Sequence, residues 1–151
     1  MKALVQRVAS ASVKVAGETV GEIGKGFLVL VGVEHGDGPA EAGALAHKLF
    51  GLRTFEDAAG KMNLDLQAVG GEVLVVSQFT LSARLAKGRR PSFNDAAAPD
   101  VARPLVDQVI QDLRQRGLRV AEGRFGAHMD VALINDGPVT YWIEVKDGRV
   151  Q

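Results

Sequence analysis

The sequence contains no cysteine, which excludes disulfides, thiolate nucleophiles and zinc sites built on thiolates. Histidine is scarce: His35, His47 and His128 are the only three, and their spacing matches no metal motif such as HExxH. We therefore expect no metal and no cofactor. The formal net charge is zero, so the molecule as a whole does not attract nucleic acid, and a polyanion has to meet a local basic patch.

Long apolar runs are also missing. None approaches the roughly 20 residues that cross a bilayer, and the opening MKALVQRVASASV alternates apolar with polar residues, unlike a secretory signal. We expect a soluble protein of the cytoplasm. A hydrophobic fraction of 46% over 151 residues supports one core, and no linker or repeat divides the chain, so we expect a single domain over residues 1–151.

Periodicity predicts many strands and few helices. Alternation at period two predicts strands in LVQRV, SVKVAG and ETVGEI, joined in a meander. The run FLVLVGV is apolar throughout and too short for a helix, which indicates a strand buried on both faces. Further strands are predicted in GGEVLVV and over residues 118–120, 129–134 and 139–145.

Two helices are predicted, each opening at a proline. Leucines at i, i+4 and i+7 indicate the first from Pro39 to near Gly51. The second starts at Pro99 and stops before Gly117, with Pro104 expected in its first turn. Because helices do not alternate regularly with strands, we expect an α+β fold, a mostly antiparallel sheet forming a β-barrel-like core with about two main helices packed on it.

The stretch SQFTL, Ser77 to Leu81, follows directly on a predicted strand. Ser77 and Thr80 supply hydroxyl groups and Gln78 an amide, so this strand end can bind a substrate or carry a weak nucleophile. The simpler interpretation is a strand that ends in polar residues. No GxSxG motif or nearby histidine supports a catalytic triad, so backbone N–H groups are the better candidates for stabilising an oxyanion.

The stretch RLAKGRRPSF carries four cations shortly before Phe93, namely Arg84, Lys87, Arg89 and Arg90. Cations beside an aromatic ring suit a few phosphates and one stacked base, as at the end of an RNA. A solvated basic loop is the alternative interpretation.

The stretch NDGPVT, Asn135 to Thr140, lies between the apolar runs MDVALI and YWIEV. Asp-Gly between strands is typical of a tight hairpin, and proline is tolerated at the first residue of a strand. The alternative is a cis peptide bond between Gly137 and Pro138, a form that only about 5 to 6% of X-Pro bonds adopt in folded proteins. The hairpin pattern alone leaves both interpretations open.

Taken in order, SQFTL, KGRRPSF and FGAHMDVALINDGPVT resemble the motifs of the D-aminoacyl-tRNA deacylase family. The opening MKALVQRVASASVKV is similar to that family's first strands, so the resemblance covers nearly the whole chain. Each motif is weak alone, but three in order at compatible spacing are specific. The resemblance implies a homodimer of barrel-like subunits that hydrolyses the ester between a D-amino acid and the 3′-terminal adenosine of tRNA, with no membrane and no other protein partner.

The resemblance also implies roles for individual residues. The pocket and its catalytic groups are Ser77, Gln78, Phe79 and Thr80. The substrate-binding residues, in which a cis Gly-Pro unit reaches into the partner subunit's pocket, are Gly137, Pro138, Met129, Asn135 and Thr140. The residues that hold the RNA end are Lys87, Arg89, Arg90 and Phe93.

From this implied arrangement we expect translation proofreading with a chiral filter. The carbonyls of Gly137 and Pro138 obstruct the side chain of an L-amino acid, so glycyl-tRNA, which has no side chain, is cleaved as well. For the chemistry we prefer attack by water, with backbone N–H groups near Phe79 and Thr80 and the adenosine 2′-hydroxyl assisting, over attack by the Thr80 hydroxyl, which has no evident base.

Two functions of other classes fit part of the pattern. A nucleic-acid-binding module without hydrolytic activity would use the basic stretch, but it needs neither SQFTL nor the Gly-Pro pair. An editing module of a synthetase would act on L-amino acids, which the Gly-Pro wall and the lack of an attached synthetase domain both disfavour.

Overall fold

The computed structural model describes residues 1–151, in which two α-helices pack against a curled, mixed sheet of seven strands. The helices are α1, Pro39–Gly51, and α2, Pro99–Gln115. The strands are β1 Lys2–Val15, β2 Glu18–Ile23, β3 Gly26–Gly32, β4 Phe55–Glu56, β5 Met62–Leu64, β6 Glu72–Ser77, β7 Val120–Glu122, β8 Asp130–Lys146 and β9 Arg149–Val150. A short 3-10 helix, Phe79–Ser82, follows β6. The predicted α+β class is confirmed.

The sheet runs in the order β7-β6-β3-β1-β8-β9, with β2 also paired to β1. All pairings of β1 and β8 are antiparallel, whereas β3 with β6 and β6 with β7 are parallel. Parallel neighbours need a long crossover, and here each crossover contains a helix, α1 in the first and α2 in the second. The carboxyl ends of β3 and β6 therefore lie at the same edge of the sheet.

Two hydrophobic cores hold these layers together. The larger cluster has 24 buried residues and joins α1 and α2 to the sheet. The smaller has seven, Val8, Ala11, Val13, Ile23, Leu28, Leu74 and Val76, and Met129 packs at its border. Strand β3 supplies both clusters, Phe27 and Val29 to the first and Leu28 to the second, which confirms the prediction of a strand buried on both faces.

The predicted strand boundaries are wrong in two places. LVQRV and SVKVAG are not separate strands, because they form one continuous strand, β1. The NDGPVT stretch is not a hairpin either, because residues on both sides of it pair with β1 and belong to one strand, β8. Gln6 pairs with Thr140 and Val8 with Asn135, so the four residues from Asp136 to Val139 stand opposite the single residue Arg7. The stretch is an enlarged β-bulge.

The expected position of Pro104 is also wrong. The helix begins at Pro99, so Pro104 lies inside α2 instead of its first turn. Its ring nitrogen cannot donate to the carbonyl of Asp100, which costs one helical hydrogen bond. Both Asp100 and Pro104 are exposed, so water can bind that carbonyl. Neither helix is long and apolar enough to cross a membrane.

Glu41 connects the first helix to the end of the sheet. Its carboxylate accepts hydrogen bonds from the N–H of Gly148, at 2.7 Å, and from the N–H of Gly38, at 2.8 Å. Only 8% of its surface is exposed. These two hydrogen bonds hold the pKa of Glu41 below its ordinary value of 4.5, and the bond from Gly148 has the larger effect. The folded structure therefore stabilises the carboxylate form of Glu41 over the protonated form.

We predict that Glu41→Gln lowers the free energy of unfolding at pH 7 by about 1 to 3 kcal/mol, because an amide group then faces a backbone donor. A group whose pKa is lowered by folding contributes its stability above its unfolded pKa and loses it as the pH falls. The difference between variant and wild type therefore shrinks below pH 4.5. Urea unfolding at a series of pH values measures it, with exposed Glu56→Gln as control; an equal difference at pH 7 and pH 3 would contradict the prediction.

Candidate active site

The SQFTL stretch lies where two parallel strands end together. Ser77 is the last residue of β6 and pairs with Val31 of β3. The N–H of Gln78 then donates to the carbonyl of Val31 at 2.7 Å, and the chain turns into the 3-10 helix Phe79–Ser82. The N–H groups of Phe79 and Thr80 have no partner within this helix, because a 3-10 hydrogen bond reaches back three residues.

A mainly apolar cleft of about 500 Å³ opens beside this turn. Its walls come from the ends of β3 and β6, the start of α2, and the segments 96–97 and 125–131, and its polar groups include Ser77, Gln78 and His128. Of the predicted site residues it brings together Ser77, Gln78, Phe79 and Met129. An apolar cleft with a few polar groups is typical of a small-molecule or cofactor site.

Thr80 does not line the cleft and is exposed. Its hydroxyl oxygen accepts a hydrogen bond from the side-chain amide of Gln78 at 2.5 Å. An amide N–H cannot take a proton from a hydroxyl, so Gln78 orients Thr80 without activating it. His128, the histidine at the cleft, has a 95% exposed side chain and lies 3.7 Å from the Asp130 carboxylate.

The basic stretch forms a loop beside the cleft. Backbone hydrogen bonds between Arg84 and Ser92 close its base. Phe93 packs edge-on against Phe79, which is itself 57% exposed, with ring centroids 4.9 Å apart. The predicted aromatic group therefore lies next to the SQFTL turn.

The cations of this loop differ in their partners. Arg84 is bound by Asp95, and its hydrogen bond and charge lower the pKa of that carboxyl group. Lys87, Arg89 and Arg90 are exposed and take part in no salt bridge. Three charges remain available to an anion.

The Gly-Pro bulge of β8 is held from below by Asn135. Its amide donates to the carbonyls of Arg7, at 3.0 Å, and Val139, at 2.9 Å, and its oxygen accepts from the N–H of Val139 at 3.1 Å. A Cβ on Gly137 would lie 2.4 Å from the nitrogen of Val139, so the bulge is too tight for a larger residue there. The Gly137-Pro138 bond is cis.

Arg7 fills the space beneath the bulge. It is only 6% exposed, although arginine is seldom buried. Its guanidinium donates to the carbonyls of Asp136, at 2.9 Å, and Thr54, at 2.6 Å, and lies 3.3 Å from the Asp136 carboxylate. Nearby, the hydroxyl of Thr140 accepts a bond from Gln6 at 3.3 Å. The role of Arg7 was missed, although an arginine at an inward position of an alternating strand is a signal.

The predicted site residues thus fall into separate groups. The SQFTL turn, Met129 and Phe93 surround or border the cleft, whereas none of Asn135, Gly137, Pro138 or Thr140 lines it. Gly137 and Pro138 are exposed. Among the cleft residues that the sequence did not suggest are Ala96, Ala97 and Phe125, which carry no chemical signature. No group of three or more His, Asp or Glu side chains is arranged to hold a metal ion.

Comparison with known proteins identifies the family. The family model described as D-Tyr-tRNA(Tyr) deacylase matches residues 4–144. A D-aminoacyl-tRNA deacylase of Thermomicrobium roseum is 61% identical over 149 residues, covering 99% of this chain and 97% of the relative. One of Escherichia coli is 53% identical over 145 residues, covering 96% of this chain and all of the relative, 100%.

Two solved structures share the fold. A c-Myc DNA Unwinding Element Binding Protein superposes with a TM-score of 0.90 at 39% identity, over 97% of this chain and 99% of that chain. A probable eukaryotic D-amino acid tRNA deacylase gives a TM-score of 0.81 at 18% identity, over 93% of this chain and 97% of that chain, which is a likeness of fold alone.

The fold and these matches define a hydrolase that acts on aminoacylated tRNA. The chain belongs to the D-aminoacyl-tRNA deacylase family, and its activity is that of a D-aminoacyl-tRNA deacylase.

We predict that Asn135→Asp lowers the free energy of unfolding by about 1 to 3 kcal/mol, because a carboxylate then faces two carbonyl oxygens that need a donor. We also expect the backbone N–H of Val139 to exchange its hydrogen with solvent faster in this variant. Urea unfolding and amide exchange measure both, and exposed Asn94→Asp is the matched control. Unchanged exchange at Val139 would show that Asn135 does not hold the bulge.

Proposed function

We propose that the protein works as a homodimer in which the Gly137-Pro138 bulge of one subunit closes the cleft of the other. The observation that carries this is the position of the bulge: Gly137 and Pro138 are exposed, and neither lines the cleft of its own chain. A second copy of the chain supplies the missing wall. The substrate is the ester between an amino acid and the 3′-terminal adenosine of tRNA.

Large exposed apolar side chains on β8 support the dimer. Ile134, one residue before Asn135, is 62% exposed, and Trp142, two residues after Thr140, is 50% exposed. They stand on either side of the bulge on the same strand. Apolar groups gathered around a protruding element mark a surface that a partner covers.

The wall accounts for a preference for D-amino acids. Main-chain carbonyls cannot rotate away as a side chain does, and three hydrogen bonds reach this bulge: Arg7 donates to the carbonyl of Asp136, and the Asn135 amide bonds both the carbonyl and the N–H of Val139. An L side chain pointing at such carbonyls is excluded, while the substrate ammonium group can donate to them. Glycine has nothing to exclude, so glycyl-tRNA is also a substrate, and the range of D-amino acids is broad because their side chains point away from the wall.

Hydrolysis proceeds by attack of water. Backbone N–H groups of Phe79 and Thr80 stabilise the oxyanion, and the adenosine 2′-hydroxyl assists the attack. One finding supports water over the Thr80 hydroxyl: the hydrogen-bond partner of that hydroxyl is the amide N–H of Gln78, which cannot take up its proton. Ser77 and Gln78 position the ester from the end of β6.

The RNA end lies along the basic loop. Lys87, Arg89 and Arg90 are free to bind phosphates, and Phe93 and Phe79 offer an aromatic platform for a base beside the cleft. Binding at one end of the RNA suits a protein with no net charge. The cellular role is proofreading of translation in the cytoplasm, where D-aminoacyl-tRNA would otherwise enter the ribosome.

The first test compares D-tyrosyl-, L-tyrosyl- and glycyl-tRNA as substrates of the purified protein. We expect cleavage of the D and glycyl substrates and none of the L substrate, because only the L side chain meets the wall. Cleavage of all three would overturn the chiral wall and favour a general editing hydrolase.

A second candidate function is nucleic-acid binding, favoured by the 39% identical structural relative named as a DNA-unwinding-element binding protein. The same assay tests it. Retention of single-stranded DNA or tRNA with no cleavage of any aminoacyl ester would move the assignment to a binding module.

The origin of the wall is tested by mixing subunits. Pro138→Ala removes the ring that restricts the backbone, so we expect this variant to cleave L-tyrosyl-tRNA. Ala102→Trp fills the cleft and abolishes activity, since Ala102 lies in its wall. Pro138→Ala is then refolded with a large excess of Ala102→Trp. Most Pro138→Ala subunits, whose clefts are open, then pair with an Ala102→Trp subunit, whose bulge is intact.

In the mixture, a wall supplied by the partner restores rejection of the L substrate while cleavage of the D substrate continues. Persistent cleavage of the L substrate would show that each subunit supplies its own wall. Sedimentation and thermal unfolding of Ala102→Trp alone verify that it folds and dimerises.

The chemical step is tested by Thr80→Ala. With water as the nucleophile, kcat falls by less than about tenfold, because backbone donors remain. Loss of a covalent nucleophile would instead lower kcat by about four orders of magnitude or more. Single-turnover assays distinguish the two, with exposed Thr19→Ala as the control for a lost threonine.

A further inference from the structure

Gly123 has no side chain, and the side chain of Met129, which lines the cleft, occupies the space beside it. Its backbone does not require glycine, because its φ lies outside the left-handed region, and its N–H donates to the carbonyl of Val75 at 2.9 Å as in an ordinary sheet. A Cβ there would lie 2.7 Å from the sulfur of Met129, closer than side chains approach one another. The missing side chain therefore makes room for Met129.

The thioether of Met129 is held in that space. The N–H of Arg124 donates to its sulfur at 3.3 Å, and the side chain packs against the smaller core while lining the cleft. Methionine is unbranched and adapts readily to its surroundings, so its position depends on the groups that border it. Gly123 and Arg124 border the sulfur, and neither of them lines the cleft.

We propose that Gly123 is a positioning residue for the deacylase reaction. By lacking a Cβ it seats the sulfur of Met129 in the cleft wall, and the seated thioether sets how tightly the cleft holds the aminoacyl-adenosine end of the substrate. This rests on the proposed function of the cleft as the binding site for that end. The amino-acid side chain points away from the pocket, so the effect is the same for every D-aminoacyl-tRNA.

The variant Gly123→Ala separates positioning from folding. The atoms that a new Cβ meets most closely belong to the flexible side chain of Met129, so we expect Met129 to shift within the cleft wall and the fold to be kept. The backbone suits alanine, so we expect a Tm no lower than that of the wild type. We expect KM to rise by about tenfold with little change in kcat, because a displaced Met129 side chain disturbs the geometry in which the cleft binds the substrate.

The displacement of Met129 is measured without any substrate. The chain has three methionines, Met1, Met62 and Met129, so an NMR spectrum of protein labelled with ¹³C only at the methionine methyl groups contains three signals to assign. We expect the Met129 signal to shift in Gly123→Ala. Gly24→Ala is the matched control, because a Cβ at Gly24 meets nothing within 4 Å and its φ also lies outside the left-handed region. An unmoved Met129 signal would overturn the proposal.

The functional part is tested by a double-mutant cycle with Met129→Ala. If Gly123 acts through Met129, then Gly123→Ala raises KM in the wild-type background and has no effect in the Met129→Ala background. An equal effect in both backgrounds, or none in either, would overturn the proposal. If the wild type cleaves no ester at all, the proposed function fails, while the methyl spectra still decide whether Gly123 seats Met129.

Discussion

The architecture depends on the pairing of both halves of β8 with one uninterrupted strand, β1. Because β1 does not break, the extra residues of β8 have to leave the sheet, and Asp136 to Val139 do so opposite Arg7. The buried guanidinium of Arg7 and the amide of Asn135 then satisfy the carbonyls that the lost ladder leaves without partners. A rigid protrusion made of main chain is the result.

The same sheet places the chemistry elsewhere. Parallel pairing of β3 and β6 ends both strands at one edge, where the SQFTL turn and the start of α2 border the cleft. The cleft offers hydroxyl, amide and backbone N–H groups in apolar walls, and the side chain of its histidine, His128, is 95% exposed. Such a site stabilises charge on an ester oxygen better than it activates a nucleophile. The mechanism proposed above, with water as the nucleophile and a wall from a second subunit, is consistent with both halves of this geometry.

Local patterns predicted much of this. Periodicity located both helices and the strand buried on two faces, because side-chain burial follows a fixed repeat in each element. It failed at the bulge and at Pro104, since Asp-Gly has the local signature of a hairpin and a helical proline depends on what solvates the carbonyl before it. Arg7 and Gly123 were missed because their partners, residues 136 and 129, are decided by strand pairing and by packing.

The sequence by itself determined the α+β class, the order of the motifs and, through their resemblance, the family. Those features depend on residue type and on short-range repeats. Only the tertiary structure decided which residues share a site: Met129 and Phe93 join the SQFTL turn, whereas Gly137 and Pro138 stand apart and exposed. Contacts between distant segments follow from the register of β1 with β8 and the curl of the sheet. The same sequence motif can therefore form a turn or a bulge, depending on how its strand pairs with another.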